Sequence, residues 1–124
     1  RLKLMQELSA LPDGFKGNNT SADLHISPDG KFLYMTNRGK ESNSITTFKI
    51  DQRSGRLQKT GYQPTLGNFP RNFVISPGGR YLLVAHQLSN DVVVFERNSI
   101  TGQLTDTGKR IAIPAPVCLK WINR

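Results

Sequence analysis

Residues 22–34, Ala-Asp-Leu-His-Ile-Ser-Pro-Asp-Gly-Lys-Phe-Leu-Tyr, recur as residues 71–83, Arg-Asn-Phe-Val-Ile-Ser-Pro-Gly-Gly-Arg-Tyr-Leu-Leu. The two copies match again further along the chain, 45–48 with 92–95 and 54–57 with 101–104. A β-rich repeat of this length is typical of β-propeller blades, which bury their faces only by packing against neighbouring blades. The sequence therefore predicts an all-β fold built from propeller blades.

Each repeat predicts a four-stranded antiparallel meander. Apolar residues run without alternation through 32–35 and 81–85, as in strands that are covered on both faces. We therefore expect the first two strands of each repeat to be the most deeply buried. The sequences Ser-Pro-Asp-Gly and Ser-Pro-Gly-Gly favour tight turns after the first strand. The predicted strands are 23–27, 32–37, 44–50 and 57–63 in the first repeat, and 72–76, 81–86, 91–96 and 104–111 in the second.

The number of repeats predicts a fragment of a larger ring. Propellers have about four to eight blades, and this sequence contains two full repeats. We expect 22–66 and 67–115 to be full blades and the remaining blades of the ring to be their partners. Residues 1–21 are predicted to end a preceding blade, with an outer strand over Leu2 to Leu8, and to form a linker. Residues 116–124 are predicted to begin a following blade, with an inner strand over Pro116 to Ile122.

Charge and composition narrow the possible partners. The net charge is +8, but the basic residues are scattered among strand ends and turns, without the dense patch or recognition helix of a nucleic-acid-binding protein. No apolar run approaches the roughly 18 residues of a membrane span. We predict no nucleic-acid or membrane partner. The single cysteine, Cys118, excludes an internal disulfide and a cysteine zinc cluster, in keeping with a reducing, cytoplasmic compartment.

Strand order predicts which loops meet near the axis of the ring. In a meander, the start of the first strand and the end of the second lie on the same side, opposite the tight turns. The side chains expected together on that side are Asp23, Asn37, Arg38, Arg71, Asn72, His86 and Gln87. Its two arginines are suited to a small anion, because a guanidinium binds phosphate or carboxylate through paired hydrogen bonds.

Several of these stretches resemble one known family. They are 21–34, Thr-Asn-Arg-Gly at 36–39, Pro-Arg-Asn-Phe at 70–73 and Pro-Ala-Pro-Val-Cys-Leu at 114–119. Together they resemble the C-terminal part of the lactonase family of seven-bladed β-propellers, which includes bacterial 6-phosphogluconolactonases. The resemblance implies a bacterial enzyme of the pentose phosphate pathway that hydrolyses a small anionic sugar lactone, 6-phosphogluconolactone, when the propeller is complete. It implies no metal and no organic cofactor.

The resemblance also implies roles for individual residues. Arg38 and Arg71 would contact the substrate anion or the developing oxyanion, and His86 or His25 would transfer a proton, with Asp23 assisting. The remaining polar side chains, Asn37, Gln87 and Asn72, would bind substrate or orient water. Two positions depart from the usual family pattern, since His86 stands where Asn is common and Asn72 where Asp is common.

Other interpretations remain open at this point. Arg71 could pair with Asp23, and His25 could be a buried, hydrogen-bonded histidine between blades. The whole protein could be a binding or scaffold propeller without chemistry, because propellers serve both purposes. It could also be a lactonase for another substrate or a carboxymuconate cyclase.

Overall fold

The computed structural model describes residues 1–122, which contain eight strands and no helix. Within those residues, therefore, no helix is long and apolar enough to cross a membrane. The strands are β1 (Thr20–Ile26), β2 (Phe32–Arg38), β3 (Ser44–Ile50), β4 (Leu57–Pro64), β5 (Pro70–Ile75), β6 (Tyr81–His86), β7 (Asp91–Arg97) and β8 (Leu104–Ala112).

The strands form two four-stranded antiparallel sheets. Their orders are β1-β2-β3-β4 and β5-β6-β7-β8, so the prediction of two consecutive meanders is confirmed. We call them the first and second blades. Equivalent residues pair in both, for example Leu33 with Phe48 and Leu82 with Phe95. Each blade also has a bulge near the start of its first strand, so the repeat extends to local irregularities.

The hydrophobic core lies between the two blades. Tyr34 and Ile45 of the first blade and Phe73, Leu82 and Phe95 of the second are fully buried and belong to one cluster. Burying such side chains stabilises the fold by about 1.5–3 kcal/mol each. The core therefore joins the blades into one packed unit.

Burial of the inner strands differs between the blades. β2 and β6 are deeply buried, as predicted, but β1 is exposed along most of its length, with Leu24 at 52% and Ile26 at 59%. The prediction that both first strands are buried is therefore wrong for β1. β1 is an edge strand whose sheet partner is β2, and it also contacts β5 of the second blade. The outer strand β4 alternates between exposed and half-buried residues, as expected of an edge.

The terminal segments predicted as strands, Leu2 to Leu8 and Pro116 to Ile122, have no strand conformation. A strand needs a ladder of main-chain hydrogen bonds to a neighbour, whereas these segments are held by isolated contacts. The Gln6 side-chain amide donates to the Leu57 carbonyl and accepts from its N–H, both at 2.8 Å. The assignment of 1–21 and 116–124 to neighbouring blades stays a prediction, and residues 123 and 124 lie outside the described residues.

Candidate active site

The ends of the inner strands lie on one face of the two-blade unit. Register pairs Thr20 with Arg38 in the first blade and Pro70 with His86 in the second. The tight turns close the opposite ends, where the Ser27 and Ser76 carbonyls accept from the N–H groups of Gly30 and Gly79. The predicted division into a polar face and a turn face is therefore confirmed.

A pocket of about 240 Å³ opens on the polar face where the two blades meet. We call it the arginine pocket, because it brings together Arg38 of the first blade and Arg71 of the second. Asp23 and Asn72 also line it, so it contains four of the eight predicted site residues. Its full lining is Ser21, Ala22, Asp23, Arg38, Arg71, Asn72 and Val117.

Two contacts hold the Arg38 side chain and leave several of its N–H groups free to donate hydrogen bonds. Its Nη2 donates to the Ser21 carbonyl at 3.2 Å, and its Cζ lies 4.6 Å from the centre of the Phe69 ring. Its buried Nε–H has no hydrogen-bond partner within the described residues. A buried, unsatisfied donor costs about 1–3 kcal/mol, so a bound acceptor that relieved it would be favoured.

Arg71 is exposed, and its Nη1 donates to Oε1 of Gln87 at 3.3 Å. Gln87 does not line the pocket but contacts it through this hydrogen bond to Arg71. The alternative pairing of Arg71 with Asp23 does not occur, because Asp23 is engaged by other groups. A guanidinium has five donors, so Arg71 keeps most of its binding capacity for a ligand.

Asp23 lies at the junction of the two blades. Its Oδ2 accepts from Asn72 Nδ2 at 2.6 Å and from the Phe73 N–H at 3.1 Å, both on β5. The same oxygen lies 3.0 Å from His25 Nε2. Residues two apart on a strand share a face, which explains why Asp23 and His25 meet. The carboxylate thus fastens β1 to β5 and orients the imidazole.

His25 is the accessible one of the two candidate histidines. Its side chain is 44% exposed, and its ring forms a T-shaped contact with the Phe73 ring, with the centroids 4.8 Å apart. If Nε2 carries the proton donated to Asp23, Nδ1 is left as an acceptor. The alternative of a buried, hydrogen-bonded histidine between blades is therefore wrong about burial, although His25 is hydrogen-bonded and contacts the second blade.

Both the nitrogen and the oxygen of the Asn72 side-chain amide form hydrogen bonds. Its Nδ2 donates to Asp23, and its Oδ1 accepts from the Leu119 N–H at 2.6 Å. An aspartate here would place two carboxylates within hydrogen-bonding distance, which is unfavourable unless they share a proton. The neutral Asn72 instead donates a hydrogen bond to the Asp23 carboxylate beside the pocket.

The link to Leu119 repeats the link between the blades. Asp23 accepts from the N–H of Phe73, and Asn72, its counterpart one period later, accepts from the N–H of Leu119. Residues 116–122 thus approach the second blade much as β5 approaches the first. The segment has no strand conformation here, and its assignment to a following blade stays a prediction.

Asn37 and His86 are fully buried outside the arginine pocket. Asn37 Nδ2 donates to the Ala10 carbonyl, Ser44 Oγ and Thr46 Oγ1 at 3.0–3.2 Å. This side chain therefore ties the N-terminal segment to the first blade. The predicted substrate role of Asn37 stays a prediction.

His86 packs so closely against Gly67 that a Cβ at position 67 would clash with the imidazole ring. Its Nδ1 is 3.1 Å from Asp91 Oδ1, but the orientation is poor and neither ring nitrogen is hydrogen-bonded within the described residues. Burial lowers the pKa of His86, and the nearby Asp91 carboxylate opposes this only in part. The imidazole is neutral and shielded from water, so His25 is better placed to contact a substrate. Residues 1–122 contain no group of three or more His, Cys, Asp and Glu side chains that could hold a metal ion.

Comparison with known proteins agrees with this geometry. The sequence model of the family "Lactonase, 7-bladed beta-propeller" matches residues 1–121. The chain belongs to this lactonase family. Its two blades correspond to part of a seven-bladed propeller.

Two curated relatives in the lactonase family carry the name 6-phosphogluconolactonase. The protein from Formosa agariphila is 50% identical over 93 residues, which cover 75% of this chain and 26% of the relative. The protein from Bacillus subtilis is 37% identical over 120 residues, which cover 97% of this chain and 34% of the relative. The chain therefore spans about a quarter to a third of the length of these relatives.

Solved structures are also similar to this chain over most of its length. The periplasmic gluconolactonase of Pseudomonas aeruginosa superposes with a TM-score of 0.86 at 38% identity, covering 91% of this chain and 31% of that one. A protein from Lactobacillus plantarum superposes with a TM-score of 0.82 at 28% identity, covering 90% and 32%. The two-blade fold is thus shared by proteins of differing sequence.

Sequence reasoning missed two residues of this lactonase-family site. Ser21 supplies the carbonyl that holds Arg38, and Phe69 supplies the ring beneath it. Thr20 is the counterpart of Phe69 in the first repeat, so no repeated aromatic indicated the contact. Only the dipeptide Phe69-Pro70, directly before Arg71, could have drawn attention to this position.

Proposed function

We propose that the complete protein containing this chain hydrolyses 6-phosphogluconolactone to 6-phosphogluconate. The observation that carries the proposal is the convergence of Arg38 and Arg71, from two different blades, on one pocket that also contains Asp23. The names of the two curated relatives support the same reaction.

The reaction needs little chemical machinery. Water adds to the lactone carbonyl, the ring C–O bond breaks, and the leaving oxygen takes a proton. A lactone is an activated ester, so a weak base and a donor to the developing oxyanion are sufficient. We assign proton transfer to His25, since Asp23 orients its ring and its Nδ1 is free to accept. His86 is wholly buried and is the weaker candidate.

The arginines supply the recognition of charge. Their free guanidinium donors suit a phosphate, which accepts paired hydrogen bonds. Asn72 and Gln87 would orient Asp23 and Arg71, as they do without substrate. We propose that the remaining blades of the ring close the pocket from the other side and that the reaction belongs to the pentose phosphate pathway of a bacterial cytoplasm.

A second candidate is an unphosphorylated sugar lactone. The structural relative from Pseudomonas aeruginosa is named a periplasmic gluconolactonase, so a relative with this fold is named for a lactone without phosphate. The two arginines favour the phosphorylated substrate, because a neutral lactone has no group that requires both.

The test compares both lactones with the full-length protein. We expect Arg71→Ala to lower kcat/KM for 6-phosphogluconolactone by about 10- to 150-fold, the effect of one charged hydrogen bond. Hydrolysis of gluconolactone should change much less. Arg53→Ala is the matched control, because Arg53 is an exposed arginine in the turn between β3 and β4.

Two other outcomes would refute the role of Arg71 or the proposed function. Equal losses on both lactones would refute the phosphate role of Arg71. A full-length protein that hydrolyses neither lactone would refute the proposed function and favour a binding or scaffold propeller.

A further inference from the structure

Phe69 has an unusual backbone conformation beside the arginine pocket. It ends the connection between β4 and β5, and its φ is 66°, in the left-handed region that bulky side chains rarely adopt. Two hydrogen bonds hold it there: its N–H donates to Asn43 Oδ1 at 3.2 Å, and its carbonyl accepts from the Gln87 N–H at 3.1 Å. Strained residues of this kind persist where the surrounding structure over-determines them, often at ligand sites.

The ring of Phe69 supports Arg38. The guanidinium carbon stacks 4.6 Å from the ring centre, within the range of a cation–π interaction. Together with the bond from Arg38 Nη2 to the Ser21 carbonyl at 3.2 Å, this contact fixes the plane of the guanidinium. A planar donor fork binds an anion well only when its orientation is set beforehand.

The main chain of Phe69 supports Arg71. The Gln87 N–H that donates to the Phe69 carbonyl belongs to the residue whose side chain accepts from Arg71 Nη1 at 3.3 Å. A single residue therefore contacts Arg38 directly and Arg71 through Gln87. The two arginines lie on different blades, and Phe69 lies in the connection between those blades.

We propose that Phe69 is a positioning residue that sets the specificity of this site for a phosphorylated lactone. It holds both arginines in place to bind a phosphate dianion. This inference rests on the proposed function. It adds that selectivity for phosphate depends on the connection between the blades as well as on the arginines themselves.

The test replaces the ring and measures both lactones with the full-length protein. We expect Phe69→Leu to raise KM for 6-phosphogluconolactone by about 2- to 30-fold, the range expected for losing one cation–π contact. The kcat should be nearly unchanged, because positioning of this kind acts on binding. KM for gluconolactone should also stay the same. Phe69→Tyr keeps an aromatic face and should restore the wild-type KM.

Leu66→Ala is the matched control for disturbing the connection. Leu66 lies in the same segment, has a φ of 63° and exposes 48% of its surface, but it does not stack on an arginine. Thermal unfolding of each variant shows whether the fold is kept. Calorimetric titration with 6-phosphogluconate gives a second readout, in which Phe69→Leu should weaken binding by the same factor.

The outcomes separate the two proposals. If the wild type is active and Phe69→Leu keeps its KM, or raises KM equally for both lactones, the role of Phe69 is refuted while the proposed function stands. The same holds if Leu66→Ala has as large an effect as Phe69→Leu. A wild type that neither hydrolyses the phosphorylated lactone nor binds 6-phosphogluconate refutes both.

Discussion

His25 and His86 are the only two histidines in the chain, and the fold places them in opposite environments. His25 is exposed on an edge strand and hydrogen-bonded to a carboxylate, whereas the side chain of His86 is fully buried against Gly67. Burial penalises a charged imidazole more than Asp91 stabilises it, so the pKa of His86 is lowered. This difference leads to a prediction about stability and pH.

The folded state binds a proton at His86 less readily than the unfolded state does. Stability from neutral, buried His86 is therefore fully present above the unfolded pKa of about 6.5 and is lost as pH falls below it. We expect the Tm of the full-length protein to fall between about pH 7 and pH 5, and His86→Asn to weaken that fall. At pH 7 the variant should have the lower Tm, because it leaves a cavity against Gly67.

Thermal unfolding at a series of pH values checks this prediction. Gln103→Asn is the control and should keep the wild-type pH dependence, because Gln103 is exposed and has no titratable group. If His86→Asn loses stability with falling pH as steeply as the wild type, His86 is not the group responsible.

At the scale of secondary-structure elements, a buried arginine connects the two blades on the turn face. Arg97 at the end of β7 donates from Nη2 to Asp29 Oδ2 at 2.7 Å, from Nη1 to the Gly79 carbonyl and from Nε to Tyr34 Oη. Tyr34 in turn donates to the Gly102 carbonyl. Most donors of the buried guanidinium are thus satisfied, as a buried charge requires.

This connection is not repeated along the chain. Ile50 is the counterpart of Arg97 one period earlier, and Gly78 is the counterpart of Asp29 one period later. The charged pair is therefore specific to the junction between these two blades. A pair of this kind favours one order of packing, because each partner alone would be costly against an apolar blade.

The pair also predicts a stability change. Partial burial raises the pKa of Asp29, but hydrogen bonds from Ser27, Arg97 and the Lys31 N–H lower it further, to about 2. Asp29→Asn keeps an acceptor in the turn but leaves Arg97 without a counter-charge. We expect a loss of about 2 kcal/mol at pH 7, less than the roughly 3–5 kcal/mol for a fully buried pair because Asp29 contacts water.

Chemical denaturation of the full-length protein measures that loss. A lowered folded-state pKa means that the stability from Asp29 is present above about pH 4 and lost as pH falls toward 2. The gap between wild type and Asp29→Asn should close in that window. The matched control is Gly78→Asp, which adds a carboxylate at the counterpart of Asp29 in the second repeat. Gly78 has open space around it. A gap independent of pH would contradict the ion-pair explanation.

At the scale of the whole molecule, the two-blade unit leaves apolar side chains uncovered. Leu24 and Ile26 of β1 are 52% and 59% exposed, and Trp121 near the other end is 43% exposed. Exposed apolar patches of this kind drive association. The two curated relatives are about three times as long as this chain, and we expect further blades of the complete protein to cover such surfaces.

We therefore expect residues 1–124, expressed alone, to self-associate and to lack lactonase activity. Light scattering after size-exclusion chromatography should show a mass that grows with concentration. Ile26→Lys should reduce the association, whereas Lys31→Ala, an exposed change in the adjoining turn, should not. A monomeric and fully active chain would contradict both the expected association and a pocket completed by other blades.

The sequence alone determined the repeat and its strand layout. Period and turn residues predicted eight strands close to their observed bounds and placed Arg38 and Arg71 on one face. This succeeded because alternation, Pro-Gly turns and the order of a meander are local or periodic properties of the chain.

The tertiary structure alone decided which residues meet across the blades. Phe69 under Arg38 and Arg97 against Asp29 join residues far apart in sequence, 68 positions in the second case. Neither pair repeats with the period, so no pattern indicated it. Burial of His86 and exposure of β1 depend on which segment covers each surface, and that is determined by packing in three dimensions.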